Sequence, residues 1–75
     1  MTGQNKAILG MAAALLLKDG KLSVRDIETL PLVDSEELAW AVALSLYNRF
    51  DLELDQDVLR LKTETLIPKR AIKSM

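Results

Sequence analysis

Asp51, Glu53, Asp55 and Asp57 stand at every second position and form the densest set of metal-capable side chains in the sequence. Their spacing is that of the oxygen ligands that open a calcium loop. Such a loop also needs a glycine at its sixth position for the sharp turn and a bidentate glutamate at its twelfth to close the site. Gln56 and Lys62 stand there instead. These acids are therefore read as the solvated face of a strand. Other chemistry finds even less support. The chain has no Cys and no His, which removes thiolate ligands, disulfides and the commonest general base. Gly3, Gly10 and Gly20 are too scattered to cradle a phosphate, and the serines have no base beside them. No catalytic residue, metal or cofactor is assigned, and the chain is read as a non-enzyme.

Seventy-five residues make one domain, and a chain of this size buries only about 60 to 65 % of the surface that its unfolded form exposes. Yet 49 % of the residues are hydrophobic, so apolar surface should be left over. The apolar run 7–17 is shorter than the roughly 20 residues that a membrane span requires and ends in Lys-Asp-Gly, unlike a cleaved leader. A soluble cytoplasmic protein is the expectation. Charge is unevenly spread: residues 1–57 hold five basic and ten acidic side chains, residues 58–75 five basic and one acidic.

The elements that must position any site follow from hydrophobic periodicity. A first helix is expected over 5–18, capped by Asn5 and stopped at Asp19-Gly20, with Ile8, Met11, Ala12, Leu15 and Leu16 on its core face. Gly10 and Ala14, flanked by Ala7 and Ala13, would let another helix approach closely. That helix belongs either to the same chain or to a second copy. Residues 18–23 read as a turn. Ser23 and Asp26 have the capping-box spacing for a short helix carrying Val24, Ile27 and Leu30 and closed by Pro31. The long helix 34–50 is expected to be capped by Asp34, with Glu37 three residues on. One arc of it, with Leu38, Ala39, Val42, Ala43, Leu46 and Phe50, suffices for a core. Trp40, Leu44 and Tyr47 form a second apolar patch, which either fills the core or meets a partner.

After Phe50 the period changes from that of a helix to that of a strand. A hairpin is expected in which Leu54 faces Leu59, Glu53 faces Arg60, Leu52 faces Leu61 and Asp51 faces Lys62, with residues 55–58 as a four-residue turn. Residues 1–66 would form the domain and 67–75 a flexible basic tail.

Helix, short helix, longer helix and two-stranded hairpin in this order resemble the winged helix-turn-helix family. The resemblance rests on element order over about residues 5–66. It implies an α+β fold of three helices followed by a two-stranded antiparallel hairpin, with the third helix as recognition element and the hairpin as wing. DNA contact would then fall to Arg60, Lys62, Lys69, Arg70 and Lys73. Two features argue against it: the would-be recognition helix begins with Asp34, Glu36 and Glu37, and the wing tip is Asp55-Gln56-Asp57. The favoured reading is a small homodimeric protein-protein interaction module, an adaptor or regulator of a larger complex, using Trp40, Leu44, Tyr47, Gly10 and Ala14. The alternative is a winged-helix DNA-binding transcriptional regulator using the basic strand and tail.

Overall fold

Leu22 marks where the observed fold departs from the expected one. The computed structural model describes residues 3–70. In it, the segment expected as a turn contains a short strand that joins the hairpin. The element order is α1 (Gly3–Asp19), β1 (Lys21–Ser23), α2 (Val24–Glu28), α3 (Glu36–Arg49), β2 (Leu52–Asp55) and β3 (Val58–Leu61). The fold is α+β, but its sheet has three antiparallel strands in the order β1-β3-β2 rather than two. Three residues are too few to display a period. What recruits them is backbone pairing: Lys21, Leu22 and Ser23 lie opposite Arg60, Leu59 and Val58, which covers an edge of β3 that a bare hairpin would leave open. Leu22 is then buried against Leu59.

Gly20 makes this pairing possible. Its φ of +79° ends α1 in a left-handed residue. Its N–H donates to the Leu16 carbonyl at 2.8 Å, and its own carbonyl accepts from Leu61 N–H at 3.0 Å. One residue thus stops the helix and starts the sheet.

The hairpin register is as expected: Leu52, Glu53 and Leu54 face Leu61, Arg60 and Leu59. Its turn is tighter. Asp55 and Val58 are themselves paired, so only Gln56 and Asp57 form the loop, and Gln56 adopts a φ of 57°. A side chain in that region costs about 1 kcal/mol relative to glycine. Gln56→Gly should therefore raise the urea midpoint by the equivalent of about 0.5 to 1 kcal/mol. An unchanged or lower midpoint would show that the turn carries no such cost.

Ser23 caps α2 with the full reciprocal box, its Oγ accepting from Asp26 N–H at 3.0 Å and its N–H donating to Asp26 at 3.2 Å. The cap of α3 lies one residue later than expected. Ser35, not Asp34, accepts from Leu38 N–H at 3.1 Å, because a Ser hydroxyl in extended backbone performs the same task.

Ile8, Leu9, Ala12 and Leu16 of α1, Val24 and Ile27 of α2, and Ala39, Val42, Ala43 and Leu46 of α3 meet Leu22, Leu52 and Leu59 in one buried core. Residues 67 and 68, expected to begin the tail, are held to the domain: Asp51 N–H donates to the Ile67 carbonyl at 2.7 Å, and Phe50 and Pro68 form an isolated bridge. Among the described residues, no helix is long and apolar enough to cross a membrane.

Candidate interaction surface

The 3.6-residue period of α3 gives it two faces with different fates. Ala39, Val42, Ala43 and Leu46 point into the core. Glu37, Ala41, Leu44 and Asn48 lie on the opposite side and are exposed, Leu44 by 44 %. Trp40 and Tyr47 sit at the edge between them, half-buried and packed against the core. The expected patch is therefore divided: Leu44 is outside, whereas Trp40 and Tyr47 each have one side in the core and one side at the surface.

Around Leu44 the surface is concave. An open groove of about 610 Å³ is lined by Ser35, Glu36, Glu37, Trp40, Ala41 and Leu44. Its floor is apolar, and its edge at the helix start carries two carboxylates and no cation. Glu36, Glu37 and Ala41 were not among the candidate partner residues. The helical wheel places Glu37 and Ala41 beside Leu44, but a carboxylate and a small side chain carry little apolar signal of their own.

Tyr47 does not line this groove but a second cleft, shared with Leu52, Glu53, Leu54, Asp55, Arg60 and Lys62. Lys69 Nζ stands 4.2 Å from the Tyr47 ring centroid, a cation–π contact.

On α1, Ala7, Gly10, Ala14 and Leu17 form one exposed stripe, with Leu17 exposed by 45 %. A Cβ built on Gly10 would meet nothing within 4 Å. The close approach that the small residues suggested is thus not made at Gly10 by the described residues; α1 instead gives Ile8, Leu9, Ala12 and Leu16 to the core it shares with α3.

The basic residues considered for DNA are only partly available. Lys62 Nζ is 2.9 Å from the Asp51 carboxylate, and Lys69 lies over Tyr47. Arg60 is flanked across the sheet by Glu53 on one side and Lys21 on the other. Arg70 is exposed and lines a cleft with Asn48, Arg49 and Lys69 at the end of α3. Lys73 lies outside the described residues.

The hydrogen bond from Lys62 to Asp51, reinforced by the opposite charge, holds the Lys62 pKa above its ordinary value. A raised folded-state pKa means that the contribution of this pair is fully present below the unfolded value of about 10.4 and is lost as pH rises through the folded one. The difference in urea midpoint between wild type and Lys62→Met should be constant from neutral pH to about pH 10 and shrink above it. A difference unchanged above pH 11 would contradict the pairing.

Compared with protein-family models, with curated proteins and with solved structures, the chain matches none.

Proposed function

We propose that this chain is a non-enzymatic protein-protein interaction module on a winged-helix plan, acting in the cytoplasm as a homodimeric adaptor or regulator of a larger complex. The observation that carries the reading is apolar surface on two helices that is exposed among the described residues. Leu17 lies beside Gly10 and Ala14 on α1, and Leu44 beside Trp40 and Ala41 on α3. Hydrophobic groups of this size grouped on helix faces favour association. The α1 stripe suits the homodimer, because small residues allow two helix axes to come close. The order helix, strand, helix, helix, strand, strand, with the last strand central, supports the winged-helix resemblance.

The DNA-reading alternative is the weaker one. Of the exposed α3 residues Glu36, Glu37, Ala41, Leu44, Asn48 and Arg49, the one cation is Arg49 at the end of the helix and the first turn carries two carboxylates, whereas base and phosphate contacts rely chiefly on Arg and Lys. A titration of random duplex DNA at low salt tests it. Absence of binding supports the interaction module; salt-sensitive binding that is lost on changing Arg60 and Arg70 to Ala would favour the regulator. For the homodimer, light scattering should give a mass above that of the monomer at micromolar concentration. Gly10→Glu, which places a charge on the exposed stripe without a clash inside the chain, should return it to the monomer.

A further inference from the structure

Resting on the interaction-module reading, the charge around the α3 groove specifies what the module holds. We infer that the groove between Ser35 and Leu44 receives a basic amphipathic segment of another protein, its apolar side chains on Trp40, Ala41 and Leu44 and its cations against Glu36 and Glu37.

Three observations favour this occupant over a second copy of the chain. The groove lining contains two carboxylates and no Lys or Arg. A two-fold contact sets a patch against itself, so self-pairing here would bring four carboxylates together with no cation from within the patch, and like charges placed together across an interface are costly. Neither Glu36 nor Glu37 forms an ion pair among the described contacts, so an incoming cation displaces none there. The apolar floor is continuous along one side of a helix, with Trp40, Ala41 and Leu44 within about one turn, and the groove is shallow and open, so an elongated segment can lie across it. An amphipathic helix laid in a groove presents its apolar residues at matching intervals.

Trp40 is the only tryptophan in the chain, so its emission reports directly on the groove. The probes are two synthetic amphipathic peptides about five helical turns long, one of Lys and Leu, the other with every Lys replaced by Glu. Wild-type protein should give a saturable blue shift of Trp40 emission with the Lys/Leu peptide and bind the Glu/Leu peptide at least about tenfold more weakly. The double variant Glu36→Lys, Glu37→Lys should invert that order. Both side chains are exposed, and far-ultraviolet circular dichroism checks that the variant is folded. Leu44→Ser should weaken the Lys/Leu peptide at least about tenfold while keeping the order of preference. No saturable change at Trp40, equal binding of the two peptides, or an order unaffected by charge reversal would overturn the inference. So would a homodimer that dissociates on Leu44→Ser, since a second copy would then fill the groove; the interaction-module reading would survive that result. A protein that stays monomeric yet binds the Lys/Leu peptide as described upholds the groove and removes only the α1 homodimer.

Discussion

Leu46→Ala is expected to cost about 2 to 5 kcal/mol, the largest loss of any single truncation in α3. Leu46 is 1 % exposed and is the largest of the four α3 residues that meet both the other helices and the sheet. Removing its isobutyl group forfeits the transfer energy of the buried carbons. It also leaves a void that Ala39, Val42 and Ala43, all small or stiff, are poorly shaped to fill. Proteins hold about 0.05 to 0.15 kcal/mol of stability per residue, or about 4 to 11 kcal/mol for a chain of this length. The loss is therefore a large part of the total. Urea unfolding followed by circular dichroism should show a much lower midpoint with the slope preserved; a loss under about 1 kcal/mol would place Leu46 outside the core.

Two residues away, the same helix should answer very differently. Leu44→Ala is expected to change stability by no more than about 0.5 kcal/mol, as for a surface substitution. Trp40→Ala, between these faces, should cost about 2 to 3 kcal/mol. Its ring buries part of a side chain that contributes about 150 to 250 Å² when fully enclosed, and half of that area at about 25 cal/mol per Å² gives the figure. The series Leu46, Trp40, Leu44 thus orders the helix by depth. A partner assay that uses Trp40→Ala mixes lost binding with lost folding, whereas Leu44 isolates binding. If Leu44→Ala were as destabilising as Leu46→Ala, the outward face of α3 would not exist.

The sequence made much of this legible where periodicity runs long enough. Ile8, Ala12 and Leu16 on α1, Ala39, Val42, Ala43 and Leu46 on α3, and the pairing of Glu53 with Arg60 all follow from counting by 3.6 or by 2. Strand β1 did not, because Lys21, Leu22 and Ser23 contain one apolar residue and acquire strand geometry from β3, a tertiary effect. The cap of α3 shifted from Asp34 to Ser35 because both side chains suit the role and only the backbone decides between them.

For the surface, the wheel separated the core face of α3 from the Trp40 patch, yet it could not say that Trp40 and Tyr47 sit half in the core. That depends on where α2 and the sheet end, which no local pattern encodes. The uncovered state of Gly10 and Ala14 was also beyond the sequence, since small residues look the same whether a helix of the same chain approaches or none does. Leu17 completes that stripe at the i+3 position from Ala14. It stands immediately before Lys18-Asp19-Gly20, where the helix-stop signal dominates the local sequence.

In the proposed homodimer, two copies join through the α1 stripe that the described residues leave exposed. Sedimentation equilibrium of the wild-type chain at micromolar concentration tests this most directly. The predicted result is a species of twice 8.4 kDa in reversible exchange with the monomer. A single species of 8.4 kDa across the concentration range would contradict it.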